Sequence, residues 1–400
     1  MKKNVLIIVG IILIMSVVMS FSFMGCKTTT ETTVAAETTA AAETTAAETT
    51  VATETTAAGA EWVNSTLYPS LQVPVLPDKK IYYVESFLGD VAHRMMVSGA
   101  ESVFKDMQVQ YEVLNPENDL QRQVKMIDDI IAKGDASALI LSAIDSEGIS
   151  SSVEKCNEAG IPVFIIDRWS TGGQVEFGVG GDWYTHGTTA TNNLVELLKA
   201  KYDGEAKGTV IAMIIGMEIN ALRDRAAALR DVMKQYPDIK VIEKQGDFDA
   251  NKDAKILQDA LTANPETDAV WNIADVFGQS FVPALEEMGK LNKAGDPNHL
   301  IIQSMDGTDW ALQAIRDGYF DSTVSSFVVE WGFMAAWAAG QSLGGKADFS
   351  GDLKVEGAAW SGKYFDMGNG TFLGLTSNLV TKDNVDDKSL WGNRISEFLE

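Results

Sequence analysis

Residues 159–168 read Ala159-Gly160-Ile161-Pro162-Val163-Phe164-Ile165-Ile166-Asp167-Arg168. The run from Ile161 to Ile166 is continuously apolar, as a parallel strand covered on both faces must be. It ends abruptly in a carboxylate and a guanidinium. Asp167 reads poorly as a helix cap, because Arg168 and Trp169 begin no helical pattern. A charged pair at the end of a buried strand, with no capping duty, is a candidate for ligand contact.

Working outward, the same alternation fills the chain from Lys79 onward. Ile81 to Val84, Val109 to Leu114 and Ala138 to Leu141 are strand-like. Ala92, Met95, Gly99, Val103 and Met107 follow helical spacing, as do Leu120, Val124, Ile127 and Ile131. The pattern restarts at Thr209 to Ile215 and continues through the helical set Leu222, Ala226, Leu229 and Met233. Further strands are expected at Ile239 to Ile242, Ala269 to Ile273 and Leu300 to Ile302. Alternation of this kind predicts parallel sheets with right-handed crossovers. The units are too many for one sheet, so the expected fold is α/β in two lobes, each a parallel sheet flanked by helices, joined by a hinge. The expected boundaries are 79–181 with about 327–355 for the first lobe, and 182–326 with about 356–400 for the second.

Ligands of such sheets sit beyond the carboxyl ends of the strands. The residues to read are therefore Ser86 to Asp90, Ser142 to Asp145, Asp167 to Trp169, Gly216 to Asn220, Phe248-Asp249, Asp275, and Met305 to Gly307. Asp145 and Asp249 read best as helix caps.

These residues resemble the sugar-binding proteins of bacterial ABC importers, the ribose and galactose class of type I periplasmic binding proteins. The resemblance covers roughly residues 79 to 350. It rests on the 159–168 strand, on Arg223-Asp224-Arg225 opening a helix, on Gly246-Asp247-Phe248-Asp249, on Asp275 (preceded by Ala274 where the family has Asn), and on Asp306-Gly307-Thr308. It implies that Asp167 and Arg168 hold adjacent ring hydroxyls, that Arg225 reaches in from the second lobe, that Phe248 lies against a ring face, and that Asp306 accepts further hydroxyl hydrogens. The chemistry is coherent: carboxylates accept from hydroxyls, guanidinium groups donate in a planar fork, and an aromatic face covers sugar C–H groups. Phe87, Asp90, His93, Ser142 and Asp275 complete the candidate ligand set. The chain departs from the family at Asp90-Val91-Ala92-His93, where the family reads Asn-Pro-Phe-Phe, and at Ser326, a position often Gln or Asn. Trp169, Trp183 and Trp271 add bulk near the strand ends. The expected ligand is thus a small, nearly neutral, hydroxyl-rich molecule of unspecified identity. The tail from about Ser361 is longer than the family needs, and the sequence assigns no role to Trp391.

The N-terminus carries Lys2 and Lys3, an apolar stretch from Val5 to Val18, and Gly25-Cys26. This layout reads as an export signal. The junction resembles the lipobox of bacterial lipoproteins, with Phe23 and Met24 at positions that usually hold Leu and Ala or Ser. The resemblance implies a signal at 1–25 and a lipidated Cys26 that places the chain outside the cytoplasm on a membrane. An uncleaved anchor is the alternative, since Val5 to Met24 is long enough to span a bilayer. Residues 26–78 are expected to form a Thr/Ala/Glu tether and a Pro-containing entry with little to bury.

The net charge of −24 sets nucleic acid aside as a partner. Cys156, the one cysteine beyond Cys26, is expected to be buried in a helix. No metal spacing links His93, His186 and His299, no cofactor motif is present, and no acid–base arrangement marks an enzyme. Gly340 to Ala347 fails as a phosphate loop because Ala347 replaces the required Ser or Thr. Asp249, Asn251 and Asp253 fail as a calcium loop because Ala254 and Ala260 replace the required Gly and Glu. The resemblance implies a monomeric solute receptor that delivers a sugar or polyol to ABC permease subunits. The alternative is a ligand-sensing lipoprotein of the same fold.

Overall fold

A computed structural model describes residues 60–399 apart from Glu218 and Phe248. The signal-like start, Cys26 and the Thr/Ala/Glu repeat lie outside the described residues. The chain opens with β1 (Trp62–Asn64), β2 (Gln72–Pro74), β3 (Lys80–Val84), α1 (Val91–Met107), β4 (Gln110–Leu114), α2 (Leu120–Lys133), β5 (Ala138–Leu141), α3 (Ser150–Glu158), β6 (Val163–Ile166) and β7 (Val175–Gly181). It continues through α4 (Trp183–Lys201), β8 (Gly208–Ile214), α5 (Asn220–Met233), β9 (Ile239–Gln245), α6 (Ala250–Ala263), β10 (Ala269–Asn272), α7 (Asp275–Gly278), α8 (Phe281–Glu287), β11 (Ile301–Asp306), α9 (Asp309–Asp317) and β12 (Ser322–Ser325). Last come α10 (Val328–Leu343), β13 (Asp352–Lys354), β14 (Ser361–Asp366), β15 (Gly370–Leu375), β16 (Asn378–Thr381), a 3₁₀ turn at Trp391–Asn393, and α11 (Ile395–Leu399).

Two α/β sheets result. The first runs β13-β14-β15-β7-β6-β5-β3-β4, and the second β16-β12-β11-β10-β8-β9. Neighbours from β15 to β4 and from β12 to β9 pair in parallel, while β14 and β16 pair antiparallel with their neighbours. The central strands β5 and β6 are buried at every residue, which is why they read as unbroken apolar runs. Side-chain caps set the helix starts: Asp90 accepts from Ala92 N, Asp119 from Arg122 N, and Asp249 from Asn251 N and Lys252 N. Asp145 caps the turn before α3 instead, accepting from the backbone of Glu147 and Gly148. Cys156 is buried on α3, and burial pushes its thiol up to about 12.

Helix α10 is buried on every side over most of its length and crosses α1 at backbone contact. A Cβ on Gly99 would overlap the carbonyl oxygen of Val329, and one on Gly332 that of Met96. This close crossing fixes the helix pair that carries His93 and Trp331.

Two expected boundaries are corrected. The hairpin β14–β15 belongs to the first sheet, because β15 pairs with β7; only β16 joins the second sheet. Folding also begins well before residue 79. β1 and β2 form an antiparallel hairpin whose Gln72 carbonyl accepts from Trp337 Nε1 at 3.2 Å and Gln341 Nε2 at 2.7 Å. Tyr68, Val73 and Leu76 are buried in the first-lobe core. The prolines marked an extended entry, but the apolar residues between them supply a face to bury.

Candidate functional site

The carboxyl ends of both sheets converge on a cavity of about 160 Å³. From the first lobe, α1 and its cap contribute Asp90 and His93, and the turn after β6 contributes Asp167 and Arg168. From the second lobe, α5 contributes Arg225 and the turn after β11 contributes Asp306 and Thr308. Ile219, Leu222, Val276 and Phe277 form an apolar side, and Trp183, Trp331 and Trp391 form aromatic walls.

Asp167 holds φ at 67°, a left-handed conformation that a non-glycine residue adopts at a cost. Its N–H donates to Val179 O at 2.8 Å, and the N–H of Arg168 donates to Ile166 O at 2.7 Å. This tight turn breaks the strand and brings both side chains to the cavity. Arg168 Nε lies 3.4 Å from Asp167 Oδ2, so the two form a compact acceptor–donor pair.

Opposite them, Arg225 is almost wholly buried. It donates from Nη2 to Asp306 Oδ1 at 2.7 Å and from Nη1 to Ile273 O at 3.0 Å. Its guanidinium carbon stands 5.0 Å from the Trp183 ring centre, and Trp183 packs edge to face on Trp331. Its Nε, Ser326 Oγ and Trp331 Nε1 are buried with no hydrogen-bond partner among the described residues. A polar ligand in the cavity would relieve that cost. Burial pushes the Asp306 carboxyl up; Arg225 opposes this, and Asp167 and Asp90 add to it.

His93 Nδ1 lies 2.7 Å from Glu85 Oε1. Glu85 is fully buried and also accepts from Ser86 N at 2.7 Å and Tyr83 Oη at 2.8 Å. Burial opposes both charges, but the attraction and hydrogen bond between the two outweigh it, helped at Glu85 by the Ser86 and Tyr83 hydrogen bonds and at His93 by Asp90: the His93 imidazole is held above its ordinary value and the Glu85 carboxyl below its own.

The structure brings Asp90, His93, Asp167, Arg168, Arg225 and Asp306 together. Phe87 does not line this cavity; it is 41% exposed, with its ring over Gly89, in an adjoining pocket that shares Asp90, His93 and Arg168. Phe248 lies outside the described residues. Two expected ligand residues are corrected. Ser142 continues the ladder of β5, its N–H donating to Val84 O, and its side chain is buried against Ser86 beneath the site. Asp275 is also buried beneath the site. Its Oδ2 accepts from Gly307 N at 2.8 Å and Thr308 N at 3.0 Å, and its Oδ1 from Thr323 Oγ1 at 3.0 Å. It therefore builds the turn that presents Asp306, whose φ is 118°. Burial, and then Asp306, push the Asp275 carboxyl up to about 7.

Sequence reasoning missed Glu85, Trp331 and Trp391. Glu85 did carry a signal, an acid ending an apolar strand directly before the Ser86–Asp90 loop. Trp391 had none, because its placement depends on the course of the tail. Among the described residues, no group of three or more His, Cys, Asp or Glu side chains could hold a metal ion.

Two α/β lobes with a charged and aromatic cavity at the facing strand ends define a two-lobed solute-binding protein. The family model of the periplasmic binding protein domain matches residues 33–347, and the chain belongs to that family. The ribose import binding protein of Bacillus subtilis is 28% identical over 263 residues, covering 64% of this chain and 80% of that protein. The D-apiose import binding protein of Paraburkholderia graminis is 28% identical over 232 residues, covering 57% and 68%. Among solved structures, an ABC transporter solute binding protein from Bacillus halodurans with bound myo-inositol superposes with a TM-score of 0.65 at 21% identity, covering 78% of this chain and 97% of that one. A carbohydrate transporter solute binding protein from Agrobacterium radiobacter in complex with D-arabinose gives 0.66 at 19% identity, covering 81% and 99%. These likenesses carry the fold.

Proposed function

We propose that this protein is an extracytoplasmic solute receptor that captures a sugar or polyol between its lobes and delivers it to ABC permease subunits. It works as a monomer, held at the membrane through a lipidated Cys26, and catalyses no reaction. The observation that carries this reading is the pairing of Asp167 and Arg168 on one lobe against Arg225 and Asp306 on the other, inside one cavity walled by tryptophan. A polyhydroxy ligand satisfies both signs at once, donating to Asp and accepting from Arg. An anionic ligand would meet Asp90, Asp167 and Asp306 and leave a buried charge unpaired. The relatives named for ribose and apiose import favour the same ligand class. Hinge closure of the lobes over the ligand supplies the mechanism. A thermal-shift screen of sugars, polyols, sugar acids, nucleosides, sugar phosphates and dicarboxylates tests the ligand class. Small-angle scattering with any hit should show a smaller radius of gyration. A screen in which only sugar phosphates or dicarboxylates raise the melting temperature would overturn the reading.

A further inference from the structure

We infer that Trp391 is a ligand-contacting wall of the cavity and sets the size of the molecule it accepts, an inference that rests on the cleft being a sugar site. Trp391 sits beyond residue 347, where the family match ends, on a tail the family pattern does not require. It is 2% exposed and lines the cavity beside Asp306 and Thr308.

Its placement is fixed from three sides. The indole Nε1 donates to Asp306 O at 2.8 Å, the carbonyl of the same residue whose carboxylate pairs with Arg225. Gly392 lets the tail backbone settle onto the turn below: a Cβ there would stand 2.7 Å from Gly307 O and Asp309 N. Asn393 Oδ1 accepts from Arg316 Nη2 at 2.8 Å, which ties the 3₁₀ turn to α9. The tail then crosses to the first lobe. Arg394 Nη1 donates to the buried Glu330 Oε1 at 3.0 Å, and Ser98 Oγ on α1 donates to Phe398 O at 2.8 Å. A ring held this way cannot yield to a bulkier ligand without disturbing Asp306. Ligand size is therefore read against a rigid indole.

Calorimetry tests this with D-ribose, D-arabinose, D-allose and myo-inositol, on wild type, Trp391→Ala and Trp391→Phe, each checked for folding by its melt. Trp391→Ala should weaken the smallest ligand bound by wild type by about tenfold or more, and shift the ratio of affinities toward the larger ligands by about tenfold. Trp391→Phe should move the ratio the same way by a smaller factor, and it decides the matter if the alanine variant does not fold. A merely structural role would weaken all four ligands alike, and that result overturns the inference. Unchanged affinities and order in folded variants overturn it too, and leave the sugar reading standing. If wild type binds none of the four, sugars and polyols of different size that raise its melting temperature replace them; if none does, the sugar reading falls, and this inference with it.

Discussion

The imidazole of His93 and the carboxylate of Glu85 meet at 2.7 Å on the first-lobe wall of the cavity, the carboxylate with no exposed surface. The pair fixes which nitrogen faces the protein. Glu85 takes Nδ1–H, so Nε2 is the nitrogen left for other contacts. Arg168 and Asp90 also act on this imidazole, the first opposing its charge and the second favouring it.

Glu85→Gln should therefore destabilise the protein in a pH-dependent way. His93 is raised, so its contribution is complete below the ordinary histidine value of 6.5 and fades as pH climbs through the raised folded value. Glu85 is lowered, so its contribution is complete above 4.5 and fades as pH falls through the lowered value. The deficit of the variant should peak between those limits, at about 3 kcal/mol for a broken buried pair, and shrink at alkaline pH. Urea denaturation at pH 5.5 and at pH 9 measures it. Equal deficits at both pH values would contradict the pairing.

Asp275→Asn should also lose its deficit as pH rises, but in a lower window. A carboxyl raised to about 7 binds more protons in the folded than in the unfolded state between pH 3.8 and 7, so its contribution falls as pH rises across that window. An amide can still accept from the 307–308 backbone without ever carrying the charge. Wild type should hold its greatest advantage over the variant near pH 4 and lose it toward pH 7. Melting curves across that range decide; a gap that widens with pH rules the account out.

Arg168→Ala should weaken binding of a confirmed ligand by at least about tenfold while the fold survives. Losing a charged donor in a closed cleft costs roughly 1–3 kcal/mol, and 1.4 kcal/mol is one decade. Titration calorimetry reads the result, and full affinity in a folded variant would place the site elsewhere.

Mass spectrometry of detergent-extracted protein should find two or three acyl chains on Cys26 at a new N-terminus. An intact Met1 without lipid would favour an uncleaved anchor.

The strand that ends in Asp167-Arg168 was legible because burial on both faces forces an unbroken apolar run, and its charged end has no local use. Arg225 and Asp306 were placed by resemblance to a family, and the structure joins them at 2.7 Å. Asp275 misled because a carboxylate after a strand looks the same whether it faces a ligand or a neighbouring turn. The turn it holds begins 32 residues later, a tertiary fact that no local pattern encodes. β14 and β15 misled for a related reason. Either sheet offered an edge, and the choice of β7 as partner is made by packing.

Among the described residues, the chain passes between lobes at Gly181–Trp183, at Ser325–Val328, at Leu375–Asn378, and again between Asn393 and Ile395. Four passages are an even number, so the described chain starts and finishes on one lobe. The second lobe is topologically an excursion with no loose end of its own. In the hinge closure proposed above, the second lobe can turn without dragging either end of the described chain.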